Sequence, residues 1–210
     1  VRNYIMSNAN YFFYPANTLI KETIKDENWV AADGKNGTTE EFTDMETNLI
    51  LSRKYADNKT FDTYYVYDSY NRLIYVVPPA ARAILVTGTA ATQGVLDNLC
   101  YQYVYDNYSR PIRKKLPGKG WEYVVYDQLD RPVLTQDASQ RSKNKWFFTK
   151  YDAFGKVTYT GLYGSTATQD ALKSMLNEKL ADGNAKYPLF EKRVSTPINI
   201  DGKDLYYSNT

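Results

Sequence analysis

The sequence predicts a mainly β protein that is built from repeated antiparallel β-hairpins, with one or two short helices. A six-residue unit beginning with Tyr-Asp recurs four times, as in a repeat architecture. Each copy follows a run of aromatic and β-branched residues, a composition typical of strands. Tyr supplies 21 of the 210 residues, so we expect tyrosine to fill much of the core in place of aliphatic side chains.

Four clear copies and one decayed copy of this unit lie along the chain. The clear copies are Tyr67–Arg72, Tyr105–Arg110, Tyr126–Arg131 and Tyr151–Lys156. Their starting positions are separated by 38, 21 and 25 residues, which indicates a basic unit of a little over twenty residues and one insertion. The decayed copy, Thr43–Asn48, is recognised by the apolar run Leu49–Leu51 that follows it.

Each position of the unit has a role in closing a hairpin. The Asp can accept a hydrogen bond from the backbone two residues on, and Asn71, Ser109, Asp130 or Gly155 then closes a type I turn in a left-handed conformation. The basic residue after the turn lies across the ladder from the Tyr and Asp, where it can stack on the phenol or pair with the carboxylate. We therefore predict a structural role for Tyr67, Asp68, Arg72, Tyr105, Asp106, Arg110, Tyr126, Asp127, Arg131, Tyr151, Asp152 and Lys156.

The sequence divides the chain into three predicted regions. Residues 1–41 contain Tyr11–Pro15 and a turn at Ala32–Gly37, and they predict an irregular N-terminal β layer. Residues 42–163 hold the hairpins, together with an insertion in which Ala90–Asn98 predicts a short helix and Pro78-Pro79 a turn. Residues 164–210 predict a helix and terminal strands that pack on the sheet, including a strand at Leu205–Tyr207. A further strand is predicted at Tyr159–Tyr163, at the end of the hairpin region.

The C-terminal helix is predicted from Thr168 to Asp182-Gly183. Its apolar residues are Leu172, Met175, Leu176 and Leu180, whose spacing puts them on one helix face. We expect this face to lie on the sheet, and it can also cover an exposed sheet edge, while Pro15, Pro111 and Pro132 interrupt the strand ladders. Incomplete protection of the edges predicts edge-to-edge self-association.

Composition excludes several classes of protein. The chain has no His, which removes the Ser-His-Asp triad, the Cys-His pair and zinc sites that need His. The net charge of +2 does not favour nucleic acid, and the single Cys100 is expected to be a buried apolar residue. The apolar stretch Ala83–Val86 is too short to span a membrane. The chain is expected to be cut from a longer polypeptide.

The recurring pattern Tyr-Asp-x-x-(Gly/Asn/Ser/Asp)-(Arg/Lys) resembles the YD repeats of the RHS (rearrangement hot spot) family. The resemblance covers roughly residues 40–163, and flanks such as Asp62–Asp68 and Asp130–Asp137 resemble the Bacteroidetes branch of that family. It implies a spiral of antiparallel hairpins wound into a curved, shell-like sheet in a large secreted or cell-surface protein, often around a C-terminal toxin domain. The Asp-Pro-x-Gly signature of the self-cleaving segment in many relatives has no counterpart in this sequence.

The sequence thus predicts a structural module and not an enzyme, with no catalytic residue, cofactor or metal. Its expected partner is the rest of its own polypeptide, including an enclosed toxin domain. The alternative is a carbohydrate-binding or adhesion module in which exposed Tyr and Trp, including Trp29, Trp121 and Trp146, form a stacking platform.

Overall fold

The computed structural model describes residues 14–85, 93–179, 181, 187–200 and 203–207. The strands are β1 (Leu19–Lys25), β2 (Thr38–Asp44), β3 (Leu49–Ala56), β4 (Lys59–Tyr67), β5 (Leu73–Val77), β6 (Tyr101–Tyr105), β7 (Pro111–Lys115), β8 (Glu122–Tyr126), β9 (Pro132–Gln136), β10 (Lys145–Tyr151), β11 (Val157–Gly164), β12 (Arg193–Ile200) and β13 (Lys203–Tyr207). The helices are α1 (Pro79–Leu85), α2 (Gln93–Leu99), α3 (Ala138–Ser142) and α4 (Gln169–Leu176), with a 3-10 turn at Ala31–Asp33.

The strands β1 to β11 form one sheet whose strand order follows the chain order, and β12 and β13 form a separate pair. The pairings are antiparallel between neighbours such as β1–β2, β4–β5 and β10–β11. The predicted mainly β fold of antiparallel hairpins is therefore confirmed. None of the helices in the described residues is long and apolar enough to cross a membrane.

The chain divides into two compact units. Unit 1 comprises Val1–Arg110 and Lys114–Lys119, and unit 2 comprises Pro111–Arg113 and Gly120–Thr210. Each unit has its own small hydrophobic cluster.

The cluster of unit 1 lies where α1 and α2 cover strands β4 and β5. Val77, Ala81, Leu96 and Cys100 are buried, and Tyr64 and Tyr75 pack against them, so tyrosine does serve as core filler. Burial raises the pKa of the Cys100 thiol, which therefore stays protonated and apolar. Helix α1 corrects the sequence prediction of a turn at Pro78-Pro79, because Pro79 occupies the first helical position, where a missing N–H costs nothing.

Two buried carboxylates stabilise the strands of unit 1 through cross-strand pairs. Glu40 accepts hydrogen bonds from the Tyr55 hydroxyl at 2.7 Å and from Lys35 at 3.3 Å. Asp62, which is 2% exposed, pairs with Arg53 at 2.7 Å and with Arg82 of α1 at 3.4 Å. The hydrogen bond from Tyr55 lowers the pKa of Glu40, and that from Arg53 lowers the pKa of Asp62. Each carboxylate is therefore held charged by its partners.

The cluster of unit 2 joins α4 to the face of β8, β9 and β10. Trp146 and Leu172 are each 1% exposed and pack with Val125 and Leu134. Helix α4 therefore lies on a sheet face and does not cover an edge, which corrects the edge-covering prediction. The helix begins after its N-cap Thr168, as predicted, but it ends at Leu176 because Asn177 caps it with a side-chain hydrogen bond to the Lys173 carbonyl at 2.7 Å.

The structure has more helices than the one or two predicted. The five-residue helix α3 follows β9 and begins with a capping box, in which Asp137 accepts from the Gln140 N–H and the Gln140 side chain accepts from the Asp137 N–H. The predicted helix at Ala90–Asn98 corresponds to α2, and its first three residues lie outside the described residues, as do Tyr11 to Phe13, Leu180, Asp182 and Gly183. The predicted strands at Tyr159–Tyr163 and Leu205–Tyr207 lie within β11 and β13.

Two polar atoms in unit 2 are buried without a hydrogen-bond partner in the described part of the chain, Trp146 Nε1 and Tyr159 Oη. Tyr159 packs edge-on against Phe148, with ring centroids 5.9 Å apart. Burial, with a smaller contribution from Glu191, raises the pKa of Tyr159 to about 12. A buried hydroxyl with no partner costs free energy that the folded state recovers when the hydroxyl is removed.

Replacing Tyr159 by Phe is therefore expected to raise the free energy of unfolding by about 1 kcal/mol. Because the raised pKa disfavours ionisation only in the folded state, the wild type should also lose stability as the pH rises from about 10 to 12, and the variant should lose less. Urea unfolding at pH 7 and at pH 11 measures both effects. A Phe variant that is less stable than the wild type at both pH values contradicts this account.

Candidate functional site: the junctions between hairpins

The repeated turns share one hydrogen-bond pattern. In each clear copy, one Asp carboxylate oxygen accepts from the N–H two residues on and from the N–H four residues on, at 2.8–3.0 Å. The four carboxylates belong to Asp68, Asp106, Asp127 and Asp152. In the decayed copy, Asp44 accepts from Glu46 and Asn48 at 2.9 Å in the same way. The Asp side chain of each repeat therefore stabilises the turn by accepting hydrogen bonds from the backbone of that turn.

Each turn ends with a left-handed residue and a bulge. Positive φ angles of 58 to 76° occur at Thr47, Asn71, Ser109, Asp130 and Gly155. Four hairpins show a register shift just before the Tyr position, between Phe42 and Thr43, Val66 and Tyr67, Val125 and Tyr126, and Lys150 and Tyr151. The left-handed residue was expected at the end of a type I turn, and the structure adds a bulge, a combination that forms a common hairpin loop. Since only one of the five residues is Gly, the side-chain hydrogen bonds of the Asp hold non-Gly residues in this strained conformation.

An Arg closes three of the turns with a charged pair. Arg72, Arg110 and Arg131 donate from Nε to the Asp of their own unit at 2.7, 2.9 and 2.8 Å. The arginine side chains are only 15–21% exposed and their carboxylates 3–13% exposed. In the fourth copy Lys156 is exposed, and within the described residues Asp152 accepts hydrogen bonds from the backbone alone. The fourth turn therefore lacks the buried ion pair of the other three.

The tyrosine of each unit ties its hairpin to the preceding one. Its hydroxyl donates to the carbonyl of the residue that follows the last position of the preceding unit. These bonds run from Tyr67 to Leu49 at 3.2 Å, from Tyr105 to Leu73 at 2.9 Å, from Tyr126 to Pro111 at 3.1 Å and from Tyr151 to Pro132 at 2.8 Å. We call this contact the tyrosine hook. It has the same direction in all four copies.

Arg72 and Arg131 extend the same junctions. Arg72 lies 5.1 Å from the ring centroid of Tyr105 and donates from Nη1 to the Asp106 carbonyl at 2.9 Å, so it contacts the next hairpin within unit 1. Arg131 lies 4.6 Å from the ring centroid of Tyr151 and donates from Nη2 to the Leu189 carbonyl. Each of these two guanidinium groups therefore lies against a tyrosine ring and the carboxylate of its own turn.

The junctions determine how two of the carboxylates titrate. Burial raises the pKa of Asp68 and Asp106, but hydrogen bonds from Arg72 and Arg110 and from backbone N–H groups outweigh it, so each pKa lies below its ordinary value. A carboxylate with a lowered pKa stabilises the folded state above its unfolded pKa of about 4. That contribution is lost as the pH falls further, through the lowered pKa.

Acid is therefore expected to destabilise the protein below pH 4, because Asp62, Asp68, Asp106 and Glu40 all have lowered pKa values. Urea midpoints measured at pH 7, 4, 3 and 2 should be similar at the first two values and fall steeply at the last two. A midpoint that is the same at pH 2 as at pH 7 contradicts the assignment.

Arg131→Ala is expected to lower the free energy of unfolding by about 2 kcal/mol, because it removes a charge-assisted pair with buried Asp127 and the contacts with Tyr151 and Leu189. Lys156→Ala is the matched control, since Lys156 occupies the same position of the unit and is exposed, and it should change stability by less than about 0.5 kcal/mol. Chemical unfolding of both variants measures the difference. Equal effects in the two variants indicate that the arginine only increases solubility.

Sequence reasoning missed two parts of unit 2 that support these junctions. Gln169, which is 6% exposed, donates to the Ile112 and Val124 carbonyls at 2.8 and 2.9 Å and accepts from Arg113 at 2.6 Å. Its side chain therefore bridges the Ile112 carbonyl of β7 and the Val124 carbonyl of β8. A buried Gln at the start of a helix has no sequence pattern that predicts such a role.

The second missed part is the strap, which we define as residues 187–191. The Glu191 N–H donates to the Tyr151 carbonyl at 2.7 Å, and buried Glu191 pairs with Lys150 at 3.0 Å. With Leu134, Phe148 and Leu176, the strap lines a largely apolar cavity of about 110 Å³. The strap therefore holds the end of β10 at the Arg131 junction.

The aromatic residues divide between the core and the turns. Trp146 is buried, and Trp29 lies under Lys25, with the ammonium 3.5 Å from the ring centroid. Tyr70 and Tyr108 are 76% and 75% exposed at turn positions. Within the described residues, no group of three or more Cys, Asp or Glu is placed to hold a metal ion.

Neither a family model nor a curated protein matches this sequence. Solved structures do match: the crystal structure of TcdB2-TccC3-TEV has a TM-score of 0.53 and 15% identity, over 90% of this chain and 10% of that chain. A structure of the Photorhabdus luminescens Tc holotoxin pore has a TM-score of 0.47 and 16% identity, over 62% of this chain and 6% of that chain. This chain thus spans about a tenth or less of each of these two solved chains. The first likeness shows that the chain has the fold of a segment of the TcdB2-TccC3 structure.

Proposed function

We propose that this chain is a segment of an RHS/YD-repeat β-shell of the Bacteroidetes type. It forms or lines a container in a larger secreted or cell-surface polypeptide, and the cargo of that container is a toxin domain of the same polypeptide. Its function is structural and involves no catalysis.

The observation that carries this proposal is the tyrosine hook. The same contact joins successive hairpins four times in one direction, so the hairpins form an array in which each unit depends on its neighbour. The twelve motif residues lie in the turns and junctions of this array, which supports a role in building a wall. The fold shared with a segment of the much larger TcdB2-TccC3 chain supports a role as part of a long polypeptide.

The alternative of a carbohydrate platform has weaker support. Trp146 is in the core and Trp29 is covered on one face by Lys25. The exposed tyrosines Tyr70 and Tyr108 stack on Arg72 and Arg110 of their own turns at 5.0 Å. Two of the three tryptophans thus pack against other groups of the protein.

Protease protection of the cargo in the full polypeptide tests the proposal. We expect the cargo region to be digested at least tenfold more slowly in the full polypeptide than when it is produced alone. Asp106→Ala, which removes a buried ion pair from the wall, should shorten the protection, and Lys156→Ala should not. Digestion of the cargo at the same rate with and without the rest of the chain refutes the container function.

A further inference from the structure

The junctions between hairpins share one register. Three cross-strand pairs share one spacing relative to the six-residue Tyr-Asp repeats. Each joins the residue three positions after the end of one repeat to the residue three positions before the Tyr of the next repeat. They are Leu51 with Tyr64, Tyr75 with Gln102, and Leu134 with Phe148. The same register therefore recurs in both units and brings Tyr67, Tyr105 and Tyr151 to the carbonyls with which their hooks form.

The last hairpin presents the receiving half of such a junction. Val157 follows Lys156 as Leu73 follows Arg72, so its carbonyl is the position that a further tyrosine hook would reach. In the described part of the chain, no tyrosine hydroxyl donates to the Val157 carbonyl, and β11 pairs only with β10. Val157 is 58% exposed and Phe154, at the turn tip, 89% exposed.

The two outer strands of the sheet differ in charge. Strand β1 carries Lys21, Glu22 and Lys25 among its seven residues, and such charges discourage pairing with another strand. Strand β11, with the sequence VTYTGLYG, has no charged residue and no Pro, and it is rich in residues that favour strands. Of these two edges, only β11 is therefore free of the features that prevent strand addition.

The decayed repeat next to β1 also has no tyrosine that could form a hook to the preceding strand. In the decayed copy, Thr43 occupies the Tyr position and Asn48 the Arg position. A threonine side chain is too short to cross to a neighbouring strand as the tyrosines do. The hooks and the edge charges therefore both favour the addition of a further hairpin at β11 and not at β1.

We propose that β11 is the acceptor edge for a further hairpin of the Tyr-Asp type. The first strand of the added hairpin pairs antiparallel with β11. In this register Tyr159 lies opposite the residue three positions before the tyrosine of the added hairpin. The hydroxyl of that tyrosine donates to the Val157 carbonyl. The inference rests on the proposed function and adds to it the acceptor edge, the register and the chemistry of the partner. The supporting interface is the junction already present at β5–β6 and β9–β10.

A hairpin taken from the chain itself provides the probe. A fluorescent peptide of residues 120–137, closed by a disulfide between cysteines added at its ends, contains β8, the turn and β9. We expect saturable binding to the whole chain below about 1 mM in fluorescence anisotropy. A peptide with Tyr126→Phe, which lacks only the hydroxyl of the hook, should bind about fivefold more weakly.

Charge substitutions in the chain test the edge and the register. The proposed register places Thr160 opposite Glu122 of the peptide, so Thr160→Glu should weaken binding about threefold and Thr160→Lys should strengthen it. A peptide with Glu122→Lys should reverse this order. Ile20→Glu, on the exposed edge strand β1, is the matched control and should leave binding unchanged. Circular dichroism establishes that each variant is folded.

Three results overturn the inference. They are absence of binding, equal binding of the unsubstituted peptide and the Tyr126→Phe peptide, and weakening by Ile20→Glu in place of Thr160→Glu. None of these results bears on the protease-protection experiment, which tests the container without using the β11 edge. A protected cargo combined with no binding of the hairpin therefore rejects the acceptor edge and leaves the proposed function in place.

Discussion

Asp106→Ala is expected to lower the free energy of unfolding by about 3–4 kcal/mol. The Asp106 side chain is 3% exposed, and it accepts from the backbone of Tyr108 and Arg110 and from the Arg110 guanidinium. The substitution leaves the guanidinium, which is 15% exposed, without its counter-charge, and it leaves Ser109 in a left-handed conformation without support. Urea unfolding followed by circular dichroism measures the loss.

Asp152→Ala is the matched control for this prediction. Asp152 makes the same two backbone hydrogen bonds, but its unit has the exposed Lys156 in place of Arg and Gly155 at the left-handed position. Its loss should be about 1 kcal/mol, because only turn hydrogen bonds are removed. If the two substitutions cost the same free energy, the buried ion pair contributes nothing beyond the turn, and the account of the junctions is wrong.

Trp146→Ala is expected to lower the free energy of unfolding by about 3–5 kcal/mol, the usual cost of removing a large buried aromatic side chain. Trp146 is 1% exposed and packs with Val125, Leu134 and Leu172, so the substitution leaves a cavity between α4 and the sheet. The expected result is a lower urea midpoint, together with loss of α4 packing as seen by faster amide exchange in Gln169–Leu176.

Phe154→Ala serves as the control for the loss of an aromatic ring. Phe154 is 89% exposed at a turn tip, and we expect a change of less than about 0.5 kcal/mol. A large effect of Phe154→Ala contradicts the division of aromatic residues between the core and the turns.

The turns could be predicted from the sequence because their determinants are local. Asp68, Asn71 and Arg72 lie within five consecutive residues, and their hydrogen bonds connect groups at most four positions apart. The tyrosine hook was not predicted, because it depends on the register between hairpins. The Tyr105 hydroxyl and the Leu73 carbonyl, for example, are 32 positions apart in the chain.

The elements that were missed depend on tertiary contacts or on short signals. Helix α1 begins at a Pro-Pro sequence that equally predicts a turn, and its packing through Ala81 decides the outcome. Helix α3 has a capping box, Asp137 to Gln140, which a search for this signal would have found. The strap has no pattern of its own, since its position depends on Arg131, Lys150 and Tyr151.

The strand order of the sheet has a consequence for how the protein is made. Because the strands follow one another in the sheet as they do in the chain, most pairings close only a short loop and lose little conformational entropy. The exception is β5–β6, whose connection from Val77 to Tyr101 contains α1 and α2. Sheets with many long-range pairings fold slowly, whereas a sequential sheet has the low contact order that favours fast folding. We therefore expect most hairpins to pair with their predecessors early in folding, in the order in which they are synthesised.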